Sequence, residues 1–192
     1  RQRVRREWAI DDQTMVVMAV SQLVPYKGLD YLIDGFSRQL VNRPSNVCLM
    51  ILGMGPYEND LRRRVARLGL EDRIRFGGMR NDIVDCLAAA DVFVLPSLFE
   101  AHSIALLDAM RAGKPIIATN VGGNTESVRH EREALIVPPA DSETFADSLE
   151  RLLTNETLRV QLAKSARARF LQEFTDKRMI EKTAAWLSKT IS

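Results

Sequence analysis

Between Phe99 and Met110 the chain carries two carboxylates eight residues apart. Glu100 follows an apolar run directly, and Asp108 sits among Ile104, Ala105, Leu106, Leu107, Ala109 and Met110. A helix that is apolar nearly all round is expected to be buried, and a buried carboxylate is costly unless something satisfies it. Packing alone does not account for the pair. The competing readings are an outward Asp108 paired with Arg111 at i+3 and a solvated loop position for Glu100.

The elements needed to position these groups are legible around them. Asp91-Val-Phe-Val-Leu-Pro96 is short, rich in β-branched and aromatic residues and closed by proline, as expected of a buried parallel strand. Glu100 would lie just beyond its carboxyl end, with Ser103 capping the following helix. In open α/β sheets ligands bind at the carboxyl ends of the strands. The first amides of that helix, near Ser103 and Ile104, would offer donors and a positive dipole end to an anion such as phosphate.

The 192 residues, 46% of them hydrophobic, suffice for a substantial core. With 27 basic against 25 acidic residues, the net charge of +2 gives no argument for a nucleic-acid partner. The clusters Arg1–Arg6, Arg62–Arg64 and Arg167/Arg169 read as solvated helix faces. Cys48 and Cys86 stand in apolar contexts without metal-ligand spacing, so buried free thiols in a reducing, cytoplasmic compartment are expected. His102 and His130 do not suggest a metal site. No apolar run approaches the roughly 18 residues of a membrane span, and no signal peptide is visible. The opening at Arg1, straight into a charged helical turn, reads as the start of a fragment.

Apolar runs place strands at Met15–Val20, Val47–Leu52, Arg73–Phe76, Asp91–Leu95, Pro115–Ala118 and Ala134–Val137. Helices are expected between them at about 28–41, 57–68, 83–90 and 104–112, and after them at 142–153, 156–170 and 176–189. This alternation predicts right-handed βαβ units and a doubly wound, six-stranded parallel sheet of Rossmann-like α/β class, followed by carboxy-terminal helices. The last helix carries Met179, Ile180, Ala184, Trp186, Leu187 and Ile191, which must bury somewhere.

The first strand is followed by Ser21-Gln-Leu-Val-Pro-Tyr-Lys27, with no dinucleotide fingerprint, and no Walker loop occurs. Gly53-x-Gly55 lacks a third glycine, and a plain tight turn is an equal reading. Dehydrogenase and nucleotide triphosphatase functions are therefore disfavoured.

Several motifs in order resemble the carboxy-terminal, donor-binding domain of a retaining GT-B glycosyltransferase of family 4, or group 1. They are the first turn ending in Lys27-Gly28, Gly53-x-Gly55-Pro56, Phe76-Gly77, Asp91–Ser97, the Glu100/Asp108 pair, Ala112-Gly113-Lys-Pro115, Val121-Gly122-Gly123 and Ile136-Val-Pro-Pro. The resemblance implies a nucleotide-sugar donor such as a UDP- or GDP-sugar, with no further cofactor and no protein-bound metal required. It implies that Lys27 contacts the diphosphate, where a fixed cation suits an anionic leaving group, and that Glu100 hydrogen-bonds the donor sugar. Amides around His102, Ser103 and Ile104 would hold a phosphate and Asp108 the ribose hydroxyls. Gln22, Gly53 and Gly55 would line the donor site, and the turn Gly77–Arg80, with Met79, would meet the base through backbone groups.

Three positions depart from the family pattern. Gln22 stands where arginine is common, so an amide replaces a diphosphate cation. Asp108 replaces glutamate and is shorter by one methylene, roughly 1.5 Å of reach. Ala101-His102-Ser103 replaces a Gly-Phe-Gly-like segment. The resemblance divides the chain into a nucleotide-sugar-binding domain, 1–173, and a terminal helix, 174–192, that packs on an amino-terminal domain holding a glycan or lipid-linked acceptor. Such a half alone is expected to bind donor weakly, transfer nothing and self-associate weakly; the longer protein would be cytoplasmic or peripheral to a membrane. The alternatives are a degenerate binding or assembly domain, favoured by Gln22 and Asp108, and half of a sugar-nucleotide 2-epimerase.

Overall fold

The computed structural model describes residues 1–42 and 46–190. In chain order the elements are α1 (Gln2–Glu7), β1 (Met15–Val20), a 3-10 turn (Pro25–Lys27), α2 (Leu29–Asn42), β2 (Val47–Leu52), α3 (Glu58–Arg67), β3 (Ile74–Gly78), α4 (Ile83–Ala89) and β4 (Val92–Leu95). They continue with α5 (Ile104–Arg111), β5 (Ile116–Thr119), α6 (Asn124–Ser127), β6 (Leu135–Val137), α7 (Ser142–Thr154), α8 (Glu156–Glu173) and α9 (Asp176–Thr190). The strands form one sheet in the order β3-β2-β1-β4-β5-β6, parallel at every pairing.

Alternation along each strand feeds two cores. Val17 and Ala19 of β1, Leu49 and Ile51 of β2 and Val94 of β4 pack under Leu32, Ile33 and Phe36 of α2 and Leu61 and Val65 of α3. Met18, Met50 and Phe93 face the other way, toward Leu87 of α4 and Leu106 and Met110 of α5. Each such side chain, fully buried, contributes on the order of 1.5 to 3 kcal/mol. Helices α2 and α3 therefore cover one face and α4 and α5 the other, the doubly wound arrangement expected from the strand and helix alternation.

Three details differ from the expectations. The third strand runs Ile74–Gly78, so the glycine pair lies inside it, and the pairing with β2 slips between Ile51 and Leu52; a glycine in a strand often marks such an irregularity. Helix α6 was not anticipated, since a single turn is too short to show a helical period. The third is Arg5, which belonged to a run expected to be solvated and is instead 1% exposed.

Arg5 donates to the carbonyls of Ala89, Asp11 and Thr14 at 3.2, 2.9 and 2.9 Å and to the Asp91 carboxylate at 2.6 Å. The same Asp91 oxygen accepts from the amide of Val16 at 2.8 Å, while Arg1 reaches the other oxygen at 2.9 Å. Burial is tolerated because nearly every donor of the guanidinium has a partner. The pair closes the amino ends of β1 and β4 and fastens α1 beneath them. Arg62 and Arg63 do fulfil the solvated reading, pairing with Glu58 and Asp60 on their own helix. Arg64 crosses to Asp34 of α2, and Arg169 donates to the Ser127 carbonyl.

Cys48 and Cys86 are free and buried, and burial pushes both thiols up, Cys86 to about 11. On α9, Met179, Ile180, Trp186 and Leu187 are exposed; Ile191 lies outside the described residues. Among the described residues no helix is long and apolar enough to cross a membrane.

Removing Arg5 leaves three carbonyls without its donors and takes from the largely buried Asp91 its closest charged partner, with Arg1 and the Val16 amide remaining. Arg5→Ala should lower the free energy of unfolding by about 3 to 5 kcal/mol, read from urea denaturation. The exposed neighbour change Arg6→Ala should stay within about 0.5 kcal/mol.

Candidate functional site

Strands β1 and β4 are neighbours, yet their loops lead to helices on opposite faces, so a crevice opens at their carboxyl ends. Lys27 comes from the loop after β1 and Glu100 from the loop after β4. Lys27 Nζ donates to Glu100 Oε2 at 2.7 Å, and Ser97 Oγ donates to the same oxygen at 3.0 Å. Glu100 is 9% exposed, which sets aside a solvated loop position.

Both loops are held by close main-chain approach. Gly28, at φ +65°, lies so near Pro96 that a Cβ would run into its carbonyl oxygen, and Leu98 N donates to Tyr26 O at 2.8 Å. Gly122, at φ +42°, faces the Glu100 carbonyl oxygen in the same way, and Gly123 N donates to that oxygen at 3.3 Å. Positive φ without a side chain is what glycine supplies. A larger residue at either position would push apart the loops that bring Lys27 and Glu100 together.

An open cleft of about 460 Å³ adjoins the ends of β1, β2 and β3, lined in part by Val20, Gln22, Gly53, Met79, Arg80 and Ala105. Gly53 and Gly55 lie against the carbonyl oxygens of Ser21 and Leu23, which a Cβ would strike, so the pair lets the β2 loop pack on the β1 loop. Gly77 instead abuts the end of the Leu52 side chain. Arg80 donates to both oxygens of Asp82, at 2.8 and 2.9 Å, and to the Glu7 carboxylate. These bonds hold the Arg80 guanidinium well above its ordinary pKa and Asp82 well below the carboxylate range.

Ser103 caps α5 as expected, its Oγ accepting from Leu106 N at 3.3 Å. The amides of Ile104 and Ala105, first in the helix, have no intrahelical partner. The expected all-round burial of this helix does not hold. Leu106, Ala109 and Met110 are buried, but Ile104 is 75% exposed. Asp108, one turn on from Ile104 and Ala105, is half-buried. Its carboxylate makes no hydrogen bond or ion pair with Arg111; burial raises its pKa and the Arg111 charge only opposes that. His102 is exposed, its ring 6.2 Å from that of Phe174.

Lys27, Glu100 and the first turn of α5 thus share the switch-point crevice, while Gln22, Gly53, Met79 and Arg80 frame the adjoining cleft. Sequence reasoning assigned nothing to Ser97, although it stands in a quoted motif, and missed Glu7, whose contact with Arg80 spans 73 residues. Among the described residues no three His, Cys, Asp or Glu side chains cluster as metal ligands.

Comparison with known proteins gives one answer. The family model for glycosyl transferases group 1 matches residues 1–169. The alpha-D-kanosaminyltransferase of Streptomyces kanamyceticus is 29% identical over 168 residues, covering 86% of this chain and 43% of that protein. The mannosylfructose-phosphate synthase of Agrobacterium fabrum is 33% identical over 173 residues, with coverages of 85% and 38%. The structure of Anabaena Alr3699/HepE in complex with UDP-glucose superposes with a TM-score of 0.90 at 28% identity, covering 98% of this chain and 52% of that one. A carboxy-terminal domain of a group 1 protein, LpcC of Francisella tularensis, matches in fold with a TM-score of 0.81 at 23% identity, covering 92% of this chain and 93% of that one. The chain spans about half the length, or less, of the longer proteins it matches. It belongs to the group 1 glycosyltransferase family and has the fold of the carboxy-terminal domain of a GT-B member.

Proposed function

We propose that this chain is the donor-binding half of a retaining glycosyltransferase and that it takes a nucleotide-sugar in the switch-point crevice. The observation that carries the reading is the Lys27–Glu100 pair, a cation and a carboxylate from loops on either side of the crevice, brought together at 2.7 Å. The Anabaena protein, similar over 98% of this chain, is a UDP-glucose complex, which supports a nucleoside diphosphate sugar as the ligand class.

The chemistry assigns each group a task. As the anomeric carbon passes from the diphosphate oxygen to an acceptor hydroxyl, negative charge grows on the departing diphosphate, so stabilising that charge is the main catalytic demand. The Lys27 ammonium supplies a fixed positive charge and the free amides of α5 supply donors and a dipole end. Glu100 accepts from hydroxyls of the sugar. Asp108 accepts from the ribose, and Met79 with the β3 loop meets the base. Gln22 contributes a hydrogen bond without charge, leaving Lys27 to carry the electrostatic load.

On this reading α9, with Met179, Ile180 and Leu187 exposed, packs on an amino-terminal domain that holds the acceptor, and the chain alone transfers no sugar. A nucleotide-sugar donor and two buried thiols accord with a cytoplasmic setting, peripheral to a membrane where the acceptor is lipid-linked.

Calorimetric titration with UDP and GDP tests the site. Lys27→Ala should weaken the nucleotide that binds by about 1.5 to 3 kcal/mol, the worth of a charge-assisted hydrogen bond; unchanged affinity would remove Lys27 from the diphosphate. Asp108 makes a second test through pH. Its folded pKa lies above its unfolded value of 3.8, so the native state binds more protons across that interval and stability falls as pH rises through it. Asp108→Asn should therefore stabilise the fold at pH 7, with the gain fading as pH drops toward 3, and should weaken nucleotide binding. A variant that gains stability yet binds as before would reduce Asp108 to a surface acid.

A further inference from the structure

The carboxylate of Glu100 is held asymmetrically. Lys27 Nζ and Ser97 Oγ both donate to Oε2, at 2.7 and 3.0 Å, and no described residue donates to Oε1. Two donors arriving at one oxygen from different loops fix the rotation of the carboxylate and so the direction of the other oxygen. We propose that Ser97 is a positioning residue for Glu100, which orients Oε1 to accept from a hydroxyl of the donor sugar; the proposal rests on the donor-binding reading above.

Ser97 is itself tightly placed. It is fully buried, and a buried hydroxyl is costly unless its hydrogen bond is made. Its carbonyl accepts from Thr119 Oγ1 at 2.6 Å, and the Thr119 carbonyl accepts from Asn124 Nδ2 at 3.1 Å. Thr119 and Asn124 are buried too, so a chain of hydrogen bonds runs from β5 and α6 under the β4 loop to Ser97, although Asn124 Oδ1 finds no partner among the described residues. The Glu100 main chain is held from the same side, by Gly123 N.

Ser97 and Lys27 are not equivalent partners. An arriving diphosphate competes with Glu100 for the Lys27 ammonium, since both are anions. Ser97 lies beneath the loop, is neutral, and is under no such competition. It is therefore the partner that keeps Glu100 oriented when the lysine turns to phosphate. Its effect should appear on the sugar and not on the nucleotide, which a general structural role would not produce.

The test compares nucleoside diphosphate with nucleotide-sugar on the 192-residue chain, using calorimetry with UDP against UDP-glucose and GDP against GDP-mannose. Whichever pair the unaltered chain binds is carried forward to the variants. Ser97→Ala should leave the diphosphate Kd within about twofold and weaken the nucleotide-sugar about five- to tenfold, whereas Glu100→Ala, which also frees Lys27, should tighten the diphosphate while losing the added affinity of the sugar. In the Glu100→Ala background, where Ser97 has no side chain left to orient, Ser97→Ala should add nothing. Ser97→Cys, close in size but a weak donor, guards against a folding defect in the alanine variant and should show a smaller split in the same direction. Equal weakening of both ligands, no weakening of either, or a full Ser97→Ala effect in the Glu100→Ala background would overturn the role of Ser97 while leaving the donor site standing. A chain that binds none of the four ligands would overturn the donor site itself, and the proposal with it.

Discussion

Strands β1 and β4 lie side by side, but the helices that follow them leave on opposite faces of the sheet. No helix can then cover the ends of both strands, and a crevice is unavoidable. Everything at the carboxyl edge answers to that constraint. Loops diverging from adjacent strands have to be tied across the gap, and the tie is polar: Lys27 to Glu100, supported by Leu98 N on Tyr26 O. The close-packed glycines are the steric half of this arrangement, since they let backbone meet backbone where a side chain would hold the loops apart.

The amino edge solves the opposite problem. There the strands begin, nothing has to open, and the chain buries an arginine. Arg5 binds three carbonyls and Asp91, so strand starts that present unpaired backbone groups are closed by a single side chain from α1. A buried ion pair is weak evidence for stability in itself. Here its role is to fix the position of α1, which in turn carries Glu7 to Arg80 at the rim of the cleft. The rigid edge and the open edge are thus linked through one short helix.

The sheet was legible because its strands are buried on both faces and read as continuous apolar runs. The Ser103 cap was legible because a capping residue before a helix is a local signal. Contacts between distant residues were not. Arg5 sits in a six-residue helix with two other arginines, Arg3 and Arg6, just after Arg1, and its pairing with Asp91 spans 86 residues, so charge density concealed a buried cation. The run around Asp108 suggests an all-round apolar helix because composition does not reveal that one face, with Ile104, borders open space. Gly53-x-Gly55 permitted a ligand turn or a tight turn, and its observed packing on the Ser21 and Leu23 carbonyls depends on how the β1 loop lies.

The two thiols have a practical consequence. Both are buried in the apolar layer, where reagents do not reach them and burial disfavours the thiolate, the species that alkylates or oxidises. The native fold is therefore nearly silent toward maleimides and mild oxidants. A cysteine engineered at the exposed cleft residue Met79 would be the selective attachment point for a fluorophore on an otherwise unaltered sequence, so occupancy of the cleft becomes an optical signal without first stripping the chain of its own sulfur.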